Sequence, residues 1–199
     1  QISEFWFKNT NDIIGNHVQE YPDPNVMLGV NCKPILVEMV VRGYITGVTS
    51  TSAWYNYEKG VRNFCGNILP EGLRKNQKFD KPILTPSTKA HDGGHDESVS
   101  PEQILESGVL SKEQWETLAD ATLRLYQRGV EICAKQGIIL VDTKYEFGVH
   151  PDGKIVLIDE IHTPDSSRFW FADEYEKRLA SGEEQKKIDK EYLREWLAA

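Results

Sequence analysis

Two segments with alternating apolar and polar residues, separated by a strong turn signal, most constrain the fold of this chain. Residues 138–147 and 154–160 both have the two-residue period of a strand, and His150-Pro151-Asp152-Gly153 lies between them. Because Asp-Gly between two such runs is typical of a β-hairpin, the segments are predicted to pair as antiparallel neighbours. A loop centred on Asp152-Gly153 then places Glu146 directly opposite Asp159, on the same face of the sheet.

This register brings two carboxylates together, because Asp142, Lys144 and Glu146 share the face on which Asp159 is expected. Like charges that face each other destabilise a sheet, so the pair requires a cation. Magnesium takes one or two carboxylates and keeps substrate phosphates as further ligands. The spacing alone leaves two interpretations open: a magnesium site formed by Glu146 and Asp159, or an exposed face that Lys144 and solvent neutralise.

Residues 33–44 predict a third strand with two unlike faces. One face is apolar, and the other carries Leu36, Glu38, Val40 and Arg42. Arg42 ends this strand just before a stretch rich in Thr and Ser, which is a residue combination that suits phosphate binding. By itself, an arginine at a strand end is more often a surface residue.

Helix signals surround these strands. Ser100 and Ser111 each begin a capping box, which predicts two helices, and Gly137 is expected to end the second. Further helices are predicted near residues 3–7, 53–59 and, as a charged pair, within 172–199. Residues 66–99 contain no long periodic segment and are expected to form a functional loop region. Strands and helices in this order predict an α+β fold.

Charge, hydropathy and cysteine content exclude several classes of function. The 199 residues include 23 basic and 31 acidic side chains, a net charge of −8, so no extended nucleic-acid surface is expected. No stretch approaches the roughly 18 apolar residues that a membrane span needs. Cys32, Cys65 and Cys133 are odd in number and lack CxxC spacing, which favours reduced thiols in the cytoplasm over a disulfide framework or a zinc site.

Two polar segments contain the residue types that bind anions. Residues 163–168 (TPDSSR) form a turn in which hydroxyls accompany Arg168, whose guanidinium can hold a phosphate through two parallel hydrogen bonds. Residues 85–97 include Lys89 and Asp96, which could supply a phosphate-binding cation and an acid–base or ligand carboxylate. Taken alone, each segment also fits an ordinary polar turn or loop.

Taken together, the motifs resemble the SAICAR synthetase (phosphoribosylaminoimidazole-succinocarboxamide synthase) family of purine biosynthesis. The resemblance covers nearly the whole chain. It runs through residues 40–47 (VVRGYITG), 69–73 (LPEGL), 85–90 (TPSTKA), 94–97 (GHDE), 141–148 (VDTKYEFG), 158–160 (IDE), 162–170 (HTPDSSRFW), 189–191 (DKE) and 193–196 (LREW).

The resemblance implies an ATP-dependent ligase that joins the carboxylate of an aminoimidazole carboxylate ribonucleotide to the amine of L-aspartate. In that family the carboxylate is thought to be activated as an acyl phosphate, with Mg²⁺ assisting and with ADP and phosphate released. Its partners are therefore small molecules, with no nucleic acid or membrane, and a homo-oligomer is left open.

The resemblance also assigns roles to individual polar residues by position. The substrate-binding residues are Arg42, Arg168, Ser166 and Ser167, of which the two arginines clamp the phosphate. The catalytic residues are Lys89, Lys144 and Asp96. Glu38 and Lys144 are assigned to nucleotide binding, and Glu146 and Asp159 to the metal.

Two departures from the family pattern affect these expectations. Residues 47–50 read GVTS where many relatives have Gly-Ser, which leaves open which hydroxyl among Thr49, Ser50, Thr51 and Ser52 contacts phosphate. By this resemblance, most of the family's N-terminal ATP lobe is expected to lack a counterpart in the 199 residues. The expected fold is therefore a two-lobed ATP-binding ligase fold with most of the N-terminal lobe absent.

This expectation divides the chain into two parts. Residues 1–42 are predicted to be a remnant of the N-terminal lobe with the inter-lobe strand, and residues 43–199 to be the C-terminal lobe that binds substrate, ATP and Mg²⁺. The 199-residue chain alone is then expected to be nearly inactive. A non-catalytic nucleotide-binding fragment or relative is the alternative, and a phosphotransferase is a weaker third possibility.

Overall fold

Helices and strands alternate irregularly along the computed structural model, which describes residues 1–88 and 97–198. In chain order the elements are α1 (Ile2–Thr10), β1 (Val18–Asp23), β2 (Val26–Gly29), β3 (Lys33–Tyr44), α2 (Ala53–Glu58), β4 (Asn63–Phe64), β5 (Asn67–Ile68), β6 (Lys78–Leu84), β7 (Ser87–Thr88), β8 (Glu97–Ser98), α3 (Pro101–Glu106), α4 (Lys112–Ala134), β9 (Ile138–Val149), β10 (Ile155–Ile158), β11 (Ser167–Phe171), α5 (Tyr175–Ser181) and α6 (Lys190–Ala198). The α+β class is therefore confirmed.

The two longest strands, β3 and β9, are antiparallel neighbours at the centre of a seven-stranded sheet. The outer edge of β9 pairs with β11 along its first half and with β10 along its second half. The outer edge of β3 pairs with β6 and β7, and β8 lies beyond β7. This arrangement lets residues that are far apart in sequence share one sheet face.

The two faces of β3 have the predicted character. Ile35, Val37, Met39 and Val41 are buried in the main hydrophobic core. The long helix α4 covers this face, and its capping box at Ser111 is formed as expected. The opposite face, which carries Glu38, Val40 and Arg42, is therefore free to form a polar surface.

A glycine allows α4 to approach the sheet closely. A Cβ at Gly129 would lie 2.6 Å from both Leu140 Cδ2 and His162 Cε1, which is too close for any side chain. Nearby, the Tyr126 hydroxyl donates a hydrogen bond of 2.8 Å to the Leu140 carbonyl. The absence of a side chain at Gly129 therefore permits this close packing of α4 on the sheet.

The predicted irregular region contains more sheet than expected. Within residues 66–99 the structure forms β5, β6, β7 and β8, so the expectation of a stretch without regular structure is wrong there. These strands are short or irregular: the pairing of β3 with β6 shifts register between Arg42 and Tyr44. Pairing with other strands, rather than a local periodic pattern, is what makes these segments strands: β6 and β7 pair with β3, β5 pairs with β4, and β8 pairs with β7.

The predicted hairpin forms, but its register differs by one residue. Glu146 pairs with Ile158, not with Asp159. The reason is the turn, in which His150 N donates to Lys154 O at 2.8 Å and Gly153 N donates to His150 O at 2.8 Å. This closure leaves three residues in the loop, whereas a loop centred on Asp152-Gly153 would contain two or four.

Asp159 lies beyond the end of β10, exposed and with a left-handed φ of +66°. The predicted face-to-face pair of Glu146 and Asp159 is therefore wrong. Division of the chain at residue 42 stays a prediction, and β3 runs without interruption through that position. Among the helices described, none is long and apolar enough to cross a membrane.

Candidate active site

A cleft of about 370 Å³ lies over the polar face of β3, β9 and β11. Its walls come from the loop after β3, the turn before β11 and the first turn of α6. The described lining residues are Glu38, Val40, Arg42, Thr51, Asp142, Thr143, Lys144, Asp165, Ser166, Ser167, Arg168, Asp189, Lys190 and Glu191.

Two arginines meet at one end of this cleft. Arg42 Nη1 lies 3.2 Å and Arg168 Nη1 lies 2.8 Å from the same oxygen, Asp142 Oδ2. The sheet register explains the meeting, because Asp142 of β9 pairs with Arg42 on one side and with Arg168 on the other. The structure therefore brings together the two arginines that the resemblance assigned to one phosphate. We call this group the arginine end.

Arg168 does not lie in a turn, as the sequence suggested, but in the strand β11. The turn ends one residue before the strand begins, and pairing with β9 then directs Arg168 onto the polar face. The nearby Asp142 carboxylate raises the pKa of Arg168, and burial of the guanidinium partly opposes this rise. Burial lowers the pKa of the fully buried Arg42 despite Asp142, yet an arginine keeps its charge because its pKa lies so far above neutrality.

Further hydrogen bonds fix Arg42 in place. Its Nε donates to Thr85 Oγ1 at 2.8 Å and its Nη2 donates to the Thr51 carbonyl at 2.9 Å. The second bond holds the Thr/Ser-rich loop against the arginine end. Of the four hydroxyl residues left open by the sequence, Thr51 lines the cleft, whereas Thr49 and Ser52 bond to each other at 2.7 Å.

Gly47, at the start of this loop, lies beside Arg168. Its φ is +90°, and a Cβ there would lie 3.3 Å from Arg168 Nη2 and would clash with Ser52. The absence of a side chain thus leaves room beside the guanidinium group.

The serines of the turn before β11 lie at the same end. Ser167 Oγ donates to Thr143 Oγ1 at 2.7 Å, and the Ser166 carbonyl accepts from Lys144 N at 3.2 Å. Both serines are buried and line the cleft. Hydroxyls and guanidinium groups of this kind are suited to bind a phosphate.

The other end of the cleft contains an ammonium group between two carboxylates. Lys144 Nζ lies 3.0 Å from Glu38 Oε1 and 3.0 Å from Glu146 Oε1. The two glutamates are directly opposite each other on β3 and β9. We call this group the lysine end.

Burial at the lysine end disfavours a charged amine, but the hydrogen bonds to Glu146 and Glu38 outweigh it and raise the pKa of Lys144. The like-charged pair that requires a cation is therefore Glu38 with Glu146, and Lys144 is the cation. Within residues 1–88 and 97–198, no group of three or more His, Cys, Asp or Glu side chains is arranged to hold a metal ion.

Some functional positions were missed and others lie outside the structure. Lys89 and Asp96 fall outside the described residues. Asp142 was placed on the correct face by strand alternation but was given no role, because a lone aspartate in a strand carries no signal of its two partners. Asp189, at the start of α6, also lines the cleft and accepts a hydrogen bond of 2.7 Å from Phe169 N.

These features define an α+β protein with a polar cleft whose cationic end suits an anionic ligand. A family model described as SAICAR synthetase matches residues 1–199, and the chain belongs to that family. The resemblance inferred from the motifs is confirmed.

Named relatives and solved structures agree with this membership. A phosphoribosylaminoimidazole-succinocarboxamide synthase of Legionella pneumophila (strain Lens) is 52% identical over 194 residues, which cover 98% of this chain and 62% of the relative. A Bacteroides thetaiotaomicron protein of the same name is 52% identical over 197 residues, covering 99% and 61%. The chain thus spans about three fifths of the length of these relatives.

Among solved structures, the SAICAR-synthase from Saccharomyces cerevisiae complexed with SAICAR has a TM-score of 0.78 at 35% identity, covering 98% of this chain and 68% of that one. A SAICAR synthetase in complex with ADP has a TM-score of 0.75 at 27% identity, covering 98% and 70%.

Proposed function

We propose that this chain takes part in the ATP-dependent ligation of L-aspartate to 5-amino-1-(5-phosphoribosyl)imidazole-4-carboxylate, which yields SAICAR, ADP and phosphate. Family membership supports the reaction type. The single observation that carries the proposal is the arginine end, where Arg42 and Arg168, from strands distant in sequence, converge on Asp142. Two guanidinium groups with one carboxylate keep a net positive charge for the phosphate of a ribonucleotide.

The chemistry explains why such an enzyme needs ATP. A carboxylate is a poor electrophile, and transfer of the γ-phosphoryl group to its oxygen gives an acyl phosphate with a good leaving group. The amine of aspartate then attacks the carbonyl carbon, and phosphate leaves. Cations near the reacting groups offset the charge that triphosphate and carboxylate bring together, and we assign this role to Lys144, with Lys89 and Asp96 as further catalytic residues.

Magnesium binding by Glu146 and Asp159 remains part of the proposal. Glu146 supplies one of the one or two carboxylates that Mg²⁺ takes in proteins, but Asp159 does not face it. When bound, the ion would neutralise charge on the nucleotide phosphates. Glu38 and Lys144 are proposed to contact the same nucleotide.

An assay of ADP release tests this proposal. The 199-residue chain, which is expected to be nearly inactive alone, and the full-length parent protein that contains it are each incubated with ATP, Mg²⁺ and the ribonucleotide, with and without L-aspartate, and the products are identified by mass. Aspartate-dependent ADP release with formation of the amide supports ligation, and its loss in Arg168→Ala but not in Arg124→Ala, an exposed arginine on α4, assigns it to the cleft.

The same assay separates the alternatives. Binding of nucleotide or ribonucleotide without any turnover supports the non-catalytic relative or fragment. ADP release that does not depend on aspartate supports a phosphotransferase. A chain that neither binds the ribonucleotide nor releases ADP contradicts the assignment of the cleft.

A further inference from the structure

The cleft contains one apolar side chain among the lining residues that the structure describes. All the others are charged or carry hydroxyls, whereas Val40 presents two methyl groups. Val40 is half-buried, and the core on the other face of β3 is already filled by its neighbours Met39 and Val41. Packing of the core therefore does not explain an apolar residue on this polar face.

The position of Val40 follows from an uninterrupted stretch of sheet. Arg42 pairs with Asp142, Val40 with Lys144, and Glu38 with Glu146, with no register shift between them. Residues two apart in a strand are separated by about 6.6 Å. Val40 thus lies midway between the arginine end and the lysine end.

A ligand that fits this order has an anionic group at one end and an apolar, planar part in the middle. A methyl pair among charged groups offers only van der Waals contact, which a ring can use without giving up hydrogen bonds. Valine is also branched at Cβ and therefore stiff, so it presents a fixed surface.

We propose that Val40 contacts the imidazole ring of the ribonucleotide and is a specificity-determining residue for that ring. The phosphate binds at the arginine end, the ring lies on Val40, and the substituents of the ring extend toward Lys144. This inference rests on the proposed function, because it takes the ribonucleotide as the ligand of the cleft.

The test compares two ligands that share the phosphate but differ in the ring. Binding of the aminoimidazole carboxylate ribonucleotide and of ribose 5-phosphate is measured by calorimetry on the 199-residue chain. Val40→Ala removes two methyl groups and is expected to weaken ribonucleotide binding about three- to tenfold while changing ribose 5-phosphate binding less than about twofold. Val40→Thr, which keeps the shape but replaces one methyl group with a hydroxyl, is likewise expected to weaken the binding of the ribonucleotide and not that of ribose 5-phosphate.

Two controls give the result its meaning. Leu36→Ala alters an exposed residue on the same face of β3 that does not line the cleft, and it should change neither affinity. Arg168→Ala should weaken the binding of both ligands, because both carry the phosphate.

Either of two results would overturn the role of Val40. One is unchanged ribonucleotide binding in both Val40 variants, and the other is an equal loss for the two ligands, which would indicate a general effect on the fold. A wild-type chain that binds ribose 5-phosphate but not the ribonucleotide would instead overturn the proposed function, and the role of Val40 with it.

Discussion

The two ends of the cleft have the same design with opposite charges. At the arginine end one carboxylate, Asp142, is shared by two cations, which leaves a net positive charge on these three groups, while Glu191 and Asp189 also interact with Arg168 from the cleft wall. At the lysine end one cation, Lys144, is shared by two carboxylates, which leaves a net negative charge. The cleft is thereby polarised along β3. An anion is favoured at the arginine end, whereas the lysine end favours a cation and would accept a carboxylate or a nucleotide phosphate only together with a cation such as Mg²⁺.

The two ends also differ in burial. At the arginine end the side chains of Arg42 and Asp142 are only 7% and 6% exposed and that of Arg168 is 20% exposed. At the lysine end both glutamate side chains are 13% exposed, and that of Lys144 is 32% exposed. Buried charges must be fixed by partners before any ligand arrives, since an unpaired buried charge is costly. The arginine end is therefore preformed, while the lysine end is more accessible to solvent and to a metal ion.

Among substitutions that test this difference in burial, Asp142→Ala is expected to have the largest effect on stability. The substitution leaves Arg42 buried without its carboxylate, and removing one partner of a buried pair costs about 3–5 kcal/mol. Urea unfolding should show a loss of this size, and Asp142→Asn, which keeps an acceptor, should lose less. A loss no larger than that of Lys144→Met at the more exposed end would contradict the difference in burial.

The sequence predicted the strands that carry both ends but not how their residues combine. Period-two alternation correctly placed Arg42 on the polar face of β3, and it placed Asp142 and Lys144 together on one face of β9, because burial of the other face fixes the alternation. The sharing of Asp142 depends on pairing between β9 and β11, which are neighbours only in the folded sheet. No local pattern contains that information.

The hairpin shows the limit more sharply. Asp152-Gly153 correctly indicated a turn, but the loop length was not readable from composition, and an error of one residue moved the expected partner of Glu146 from Ile158 to Asp159. The carboxylate that actually faces Glu146 belongs to Glu38 on the neighbouring strand β3, more than a hundred positions away along the chain. Register between distant strands is set by the whole sheet rather than by the turn.

Substitution of the partly exposed Arg168 should weaken ligand binding more than it lowers the stability of the fold. Arg168→Ala removes a charge-assisted bond worth about 1.5–3 kcal/mol to an anionic ligand. Calorimetry with the ribonucleotide should show a corresponding loss of about 10- to 150-fold in affinity. Arg124→Ala is the matched control. A comparable loss of affinity in that variant would show that the effect does not come from the arginine end.

The contribution of the lysine end to stability should depend on pH in alkaline solution. The folded-state pKa of Lys144 is raised above its ordinary value of 10.5, so the stabilisation is fully present below that pH and is lost as pH rises through the folded-state pKa. Because the side chain is partly exposed, the effect is expected to be about 1 kcal/mol. Urea unfolding at pH 8 and above pH 11 should show the stability advantage of wild type over Lys144→Met shrinking, and an advantage that grows with pH would contradict the raised pKa.

Glu146→Gln should have the smallest effect on stability. This variant also tests whether the lysine end binds magnesium. The substitution removes the excess negative charge while Glu38 still pairs with Lys144, so unfolding should change by less than about 1 kcal/mol. If Glu146 is a magnesium ligand, the Mg²⁺ concentration needed for half-maximal ADP release by the full-length parent protein should rise, because a neutral amide is a weaker ligand for a hard cation than a carboxylate. Glu38→Gln is the matched control, since it removes the same charge from the facing strand. An equal rise in both variants would point to charge alone, and no rise in either would leave Lys144 as the only cation that this pair of carboxylates holds.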